Sequence, residues 1–407
     1  MTAAAVLATG FLILAVGSGA RFAIGLTLQP MAQDFAMGRG MLGIIVAIYF
    51  ICTAVCMFLA GRLVDRSGVR AVLCAGVLVS AAGIGLVSLA SASWHVLVLY
   101  GLVFGAGNGL ASIAPVSVLV TSQYPGRMGL ANGIAISGMA VGQLVMVAAM
   151  AAVMVGIGWR SVYVWLGVAH LALLPLFLLL PRGKPTGPTA TTSTVDASPL
   201  PGLTLAEAVR TRRFWLVLIA QALCGFDDFF VSTHIVAFAQ DRGIATFFAG
   251  NLLALMGLTS LVGVVWSGLW SDRAGPAWPM LACFLLRIAI FGLILVDQSP
   301  LSVTIFAVIF GVTFLMTAPL TVVFVRNWFG VRAVGTLSGL ILMIHHICGG
   351  IGAWIGGLVF DAHGSYAPAF AAMALSSVIA TVLMLGGVMR EPTPALKQRP
   401  LGGHSGG

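Results

Sequence analysis

Long apolar runs, each closed by a short polar or Gly/Pro-containing stretch, fill this chain from about residue 5 to residue 389. Crossing the hydrocarbon of a bilayer as a helix takes about 20 such residues. Twelve runs reach that length, near 5–31, 41–60, 71–92, 96–121, 130–156, 160–180, 213–238, 247–270, 277–296, 301–325, 334–359 and 366–389. A membrane β-barrel would instead alternate apolar and polar residues in short strands. The pattern therefore predicts an all-α membrane protein with twelve transmembrane helices. No basic stretch or small-residue cleavage site precedes the first run, so it is expected to stay as a helix rather than serve as a signal peptide.

Composition agrees. The 407 residues are 60% hydrophobic and 8% charged, against about 25% charged in a soluble domain. That excludes a soluble single-core enzyme and a disordered chain. Cys52, Cys56, Cys74, Cys224, Cys283 and Cys348 all lie in apolar runs and read as small hydrophobes, not a disulfide scaffold. Lysine and arginine placement sets the expected orientation. With both termini cytoplasmic, fifteen of the twenty basic residues fall on the cytoplasmic side, against three outside (Arg39, Arg160, Arg242) and two within spans (Arg21, Arg287). The net charge of +9 then meets anionic inner-leaflet lipid and implies no nucleic acid.

Residues 181–212 separate six spans from six. This segment holds a Pro/Thr/Ser/Gly stretch that reads as a flexible linker, and then a short amphipathic helix at 203–210. The expected units are 1–180, a six-helix bundle; 181–212, the cytoplasmic linker; 213–390, a second six-helix bundle; and 391–407, a disordered tail. The halves repeat at an offset of 204 to 207 residues. Gly61-Arg-Leu-Val-Asp65-Arg66-Ser-Gly68 recurs as Gly268-Leu-Trp-Ser-Asp272-Arg273-Ala-Gly275, and Ala32-Gln33-Asp34 as Ala239-Gln240-Asp241. Phe104-Gly105, Ala114-Pro115 and Gly129-x3-Gly133 also recur, in order. Six spans per half make the repeat parallel, about an axis along the membrane normal.

Gly61-x3-Asp65-Arg66-x-Gly68-x-Arg70 resembles the loop motif between the second and third helices of the major facilitator superfamily. The resemblance covers the whole chain. It implies two six-helix bundles around a cavity lined by helices one, four, seven and ten, flanked by two, five, eight and eleven. It also implies a gating role for Gly61, Asp65, Arg66, Gly68 and Arg70, and for Gly268, Asp272 and Arg273 in the second half. A finer resemblance is to the bacterial branch related to monocarboxylate transporters and the oxalate–formate antiporter. It rests on Arg21 with Pro30, on 131–142 of the fifth span, on Cys224-Gly-Phe and Thr233-His234, on Ala318-Pro319-Leu-Thr321, and on His345 with Asp361-x-x-Gly364-Ser-Tyr366. The eleventh span reads His345-His346 where relatives often have His-Gln, and the eighth lacks the Asp/Arg pair of the animal carriers.

Ionisable groups at membrane depth cost at least ~2.5–3.5 kcal/mol each at a helix centre, so they mark function. Arg21 sits mid-way along the first span and could clamp a carboxylate; it could equally pair with Asp228, its counterpart under the repeat, or snorkel. Asp227 and Asp228 in the seventh span are candidate proton carriers, or one of them caps a helix break near Gly225. Asp227 and His234 share a helix face, and Asp228 lies about 100° round. His234 and His345 are candidates for substrate contact, and His346 for proton coupling. Asn108, Gln143 and Thr317 complete the expected substrate set, with Ser112, Ser137 and Thr313 as further polar groups. Arg287, in the ninth span, is expected to reach the loop near Asp272. Metal spacings and a P-loop are absent from the sequence, so no metal, cofactor or nucleotide is expected.

The leading expectation is a secondary transporter moving a small organic anion, a monocarboxylate, with protons across the cytoplasmic (inner) membrane of a bacterium, working as a monomer in the bilayer. A proton-coupled drug or metabolite efflux antiporter is the alternative, which Asp227 and Asp228 would suit; a sensor and an enzyme rank lower. Topology is checked by fusions: a reporter after Ser193 or Arg399 should score as cytoplasmic, and one after Arg242 as external. The reverse pattern would invert the orientation.

Overall fold

The computed structural model describes residues 3–121, 123–124, 128–178, 202–330 and 334–390. Regular structure among them is helical, apart from one antiparallel bridge between Gly202 and Gly330. Twelve helices are long and apolar enough to span a membrane: Ala3–Leu26, Arg39–Ala60, Val69–Leu89, Ser93–Val120, Ile134–Met154, Gly156–Phe177, Arg212–Asp241, Thr246–Ser271, Ala277–Val296, Pro300–Phe329, Thr336–His363 and Ala367–Gly386. Their number and order match the hydropathy pattern. The fifth and sixth run into each other across Gly158, whose φ of 73° turns the chain. The linker from 181 to 201 and the tail from 391 lie outside the described residues.

Three of the four spans expected to line the cavity are broken. The first helix stops at Arg21, where the Phe22 N–H reaches back to Gly19 (3.2 Å) instead of continuing the ladder, and resumes as Ala23–Leu26. The fourth carries π-helix over Leu97–Phe104 and breaks at Ala111. The tenth breaks between Phe314 and Thr317. Such interruptions free backbone groups and side chains at membrane depth. The seventh span is continuous over Arg212–Asp241, so the expected break near Gly225 is absent. Gly225 instead admits the eleventh span: a Cβ there would overlap the His345 carbonyl. Gly142 does the same in the first half, against the Ala15 carbonyl of the first span.

Motif glycines end helices. Gly68 and Gly275 have φ of 82° and 81°, and their N–H groups close onto Val64 (2.9 Å) and Ser271 (2.8 Å). Arg66 and Arg273 are exposed there, while Gly61 and the side chains of Asp65 and Asp272 lie outside the described set. The short inner helix is the single turn Leu205–Ala208, held by a capping box between Thr204 and Glu207. It is tied to the tenth span by the Leu203 N–H to the Phe329 carbonyl (2.7 Å).

The two bundles meet along glycine faces. In the eighth span Gly250 presses on Ala151 and Gly257 on Gln143; in the eleventh Gly350 presses on Ala47 and Gly357 on the Arg39 carbonyl. Spacings of 7 and 11 residues return to one helix face. Gly268, 11 residues past Gly257, and Gly339, 11 before Gly350, therefore share those faces, yet a Cβ at either would meet nothing within 4 Å. Among the described residues the bundles are bonded at the end holding residues 34–39, 241–246 and 361–366, and the open space at Gly268 and Gly339 marks the diverging end. Gly142→Leu is expected to overpack the first and fifth spans and to cost about 1–3 kcal/mol of stability, read as a lower thermal midpoint in detergent. Gly268→Ala should leave it unchanged.

Candidate substrate site between the bundles

The break after residue 21 places the Arg21 guanidinium beside a pocket between the bundles, lined by Arg21, Phe22, Ile24, Val46, Phe50, Tyr100, Ser232 and Thr233. Its Nε is buried without a hydrogen-bond partner. Its charge rests on aromatic faces, 4.6 Å from the Phe22 centroid and 5.7 Å from that of Phe229. The Tyr100 hydroxyl fixes the backbone here, donating to the Arg21 carbonyl at 2.6 Å. Asn108 donates to Tyr49 Oη (2.6 Å) and to the Gly17 carbonyl (3.3 Å), bracing the wall behind the guanidinium.

Asp228 does not pair with Arg21. Its partner is Arg287, whose Nη2 lies 2.5 Å from Asp228 Oδ1. Arg287 is fully buried and does not reach toward Asp272. It bonds the Cys224 carbonyl (3.2 Å) and Thr313 Oγ1 (3.2 Å), and its Nη1 lies 3.7 Å from Asp227 Oδ2. The ninth span turns this arginine inward, where two carboxylates on consecutive residues leave a counter-charge to be supplied. Asp227 takes hydroxyl donors from Ser376 (2.5 Å) and Ser377 (3.0 Å) of the twelfth span. The face shared by Asp227 and His234 exists as expected, but its polar atoms bond the eleventh and twelfth spans and the Tyr366 hydroxyl rather than the cavity.

His345 is the half-open member of this network. Its Nδ1 donates to the Gln221 carbonyl (3.0 Å), and Nε2 stands 3.7 Å from Asp228 Oδ2. Its side chain is 12% exposed. Donor atoms of Cys224, Asp228 and His345 lie within 4.8 Å of one another, but the guanidinium already matches this carboxylate. His346 bonds its own helix at the Leu342 carbonyl (2.8 Å) and packs 5.3 Å from Phe229. Thr317 meets the Cys224 sulfur (3.3 Å) and is not among the residues lining Arg21's pocket. Gln143 is not a cavity residue: its Nε2 donates to the Leu253 carbonyl (3.1 Å), joining the fifth span to the eighth across the bundles. His234 is not free for substrate either. Nε2–H donates to the Ala353 carbonyl (2.8 Å), which leaves Nδ1 to accept from Tyr366 Oη (3.0 Å).

The profile of the Major Facilitator Superfamily matches residues 10–244 and again 217–405, one match per half. The chain belongs to this superfamily. It is a secondary transporter that works by alternating access, not an enzyme. YcxA, an uncharacterised MFS-type transporter of Bacillus subtilis (strain 168), is 26% identical over 356 residues, 83% of each chain. Human monocarboxylate transporter 11 is 26% identical over 247 residues, 58% of this chain and 51% of that one. The fold is shared with a bacterial homologue of the human lysosomal transporter Spinster in an inward-facing, occupied conformation (TM-score 0.77, 17% identity, covering 94% and 96% of the two chains). It is shared too with a D-xylose–proton symporter (TM-score 0.75, 15% identity, 93% and 96%).

In this transporter the closed end is sealed by a lock that the sequence left unread. Arg39 of the second span grips Asp241 at 2.6 and 2.8 Å, stacks 3.7 Å from the Phe360 centroid, and donates to Tyr366 Oη (3.1 Å). Tyr366 passes the contact on to His234. Asp361 accepts from the N–H groups of Arg39 (2.8 Å) and Gly40 (2.7 Å), capping the second span. Gln29 adds a bond to Asp241 (3.0 Å). The repeat held a clue: Asp34, the counterpart of Asp241, also binds an arginine, Arg160, at 2.5 Å, with Trp159 Nε1 at 2.9 Å. The Trp159 and Arg160 donors hold the Asp34 carboxyl below the usual range. Breaking one side of a buried pair costs about 3–5 kcal/mol because the remaining charge stays uncompensated. Arg287→Gln should therefore lose most folded protein on size exclusion and in thermal scans, and Arg287→Gln with Asp228→Asn should recover much of it. No recovery would separate the two residues.

Proposed function

We propose that this transporter carries a small organic anion, a monocarboxylate, across the cytoplasmic membrane with proton coupling. The observation that carries the reading is Arg21: a half-buried cation between the bundles, its Nε fully enclosed, beside a pocket, with aromatic faces and, among the described residues, no carboxylate bonded to its guanidinium. Such a group is matched only when a ligand brings the negative charge. The partial likeness to human monocarboxylate transporter 11 supports the same branch. Charge balance supports the coupling. Asp227 and Asp228 face one guanidinium, and the surplus negative charge is costly in hydrocarbon. One proton on this cluster, reached from the cavity through His345, would balance it. The efflux reading needs a carboxylate free for a cationic substrate, and both are engaged by Arg287 or by the serines.

With both termini cytoplasmic, as the basic residues argue, the diverging end opens to the cytoplasm and the Arg39–Asp241 lock closes the outside. The units 1–180 and 213–390 would then rock about the Arg21 layer. The test is uptake of labelled carboxylates into proteoliposomes under an inward proton gradient. Accumulation of an acid, reduced at least about tenfold in Arg21→Gln, is expected. A verified gradient that accumulates no acid would overturn symport, and uptake indifferent to Arg21→Gln would overturn the site.

A further inference from the structure

With Arg21 as the anion site, on which this inference rests, the surrounding side chains restrict the shape of the ligand. Four apolar side chains, Phe22, Ile24, Val46 and Phe50, wall the pocket around one guanidinium. The other two arginines near the bundle interface are already matched, Arg287 by Asp228 at 2.5 Å and Arg39 by Asp241 at 2.6 Å. A second carboxylate on the ligand would find no second cation there, only the hydroxyl residues Tyr100, Ser232 and Thr233, and a buried charge without a counter-charge is strongly unfavourable.

Beside Arg21 lies a flat surface. Phe229 of the seventh span stacks on Phe50 of the second, with centroids 3.9 Å apart and planes 5° apart. Aromatic pairs settle better in offset or edge-on arrangements, with centroids about 4.5–7 Å apart. This close, near-parallel pair is therefore a weak clasp, and its rings belong to opposite bundles. Phe229 stands 5.7 Å from the guanidinium in this state, and when the bundles shift it parts from Phe50 and presents an open aromatic face to the pocket. We propose that the ligand is a monocarboxylate with a planar aromatic body, its carboxylate on Arg21 and its ring on Phe229, in the place Phe50 holds here.

Calorimetric titration of the purified, full-length transporter tests this with benzoate, acetate, phthalate and benzyl alcohol. Benzoate should bind about tenfold or more tighter than acetate and phthalate, and benzyl alcohol should not bind. Phe229→Leu should bring benzoate to within about twofold of acetate, while Phe229→Tyr keeps the preference and reports a folded site. Arg21→Gln should abolish all carboxylate binding. If acetate binds as tightly as benzoate and Arg21→Gln abolishes it, the aromatic platform fails; if phthalate does, the single-carboxylate restriction fails; in either case the Arg21 reading stands. Carboxylate binding that survives Arg21→Gln overturns both.

Discussion

A guanidinium in hydrocarbon needs a counter-charge, and Arg287 finds it within the protein on two carboxylates at once. Its geometry sorts the other buried charges. By holding Asp228 at 2.5 Å and standing 3.7 Å from Asp227, it ties the seventh, ninth and tenth spans into one polar knot. It also draws away the carboxylate that the repeat places opposite Arg21. A buried pair of this kind contributes little net stability compared with a packed apolar core. Its effect is on partner choice: Arg21 remains charged with aromatic rings for company, in a pocket that both bundles line.

Much of this was legible in the chain. A fixed bilayer thickness makes span number and order readable from hydropathy, and the duplicated Gly-Asp-Arg-Gly blocks give two like halves. Arg21 was legible because a charge inside an apolar run needs a reason. The partners were not, because they depend on how each helix is turned about its axis. A rotation of one residue, about 100°, decides whether Arg287 meets Asp228 or heads for the loop near Asp272. The same ambiguity put Gln143 and His234 among substrate ligands, when they bond Leu253 and Ala353 instead. Arg39, Asp241 and Asp361 lay in loops, where charges are ordinary, and the motif holding Asp361 and Tyr366 did not say what they bind. Only the repeated Ala-Gln-Asp hinted that the aspartate recurs for a purpose.

The lock and the site are linked through covalent neighbours and through contact. His234 is bonded to Tyr366, which receives Arg39; six residues earlier on the same helix stands Asp228, and five earlier Phe229. Rearrangement at the closed end therefore turns the helix that carries the aromatic platform and the buried carboxylates. A transporter needs such a connection if occupancy of its centre is to alter which end is sealed.

The two glycine faces carry a further consequence. Gly250 and Gly257, with Gly350 and Gly357, are spent in the present closure, while Gly268 and Gly339 lie unused on the same sides of the same helices. Alternating access would bring those two faces together at the opposite end, a second seam that competes with the first for the same two bundles. Turnover is fast only if neither seam wins by much, since a bias of a few kcal/mol would strand nearly every molecule in one posture. The hydrogen-bonded lock weights one side of that see-saw; the bare glycines let the other side close without having to break anything first.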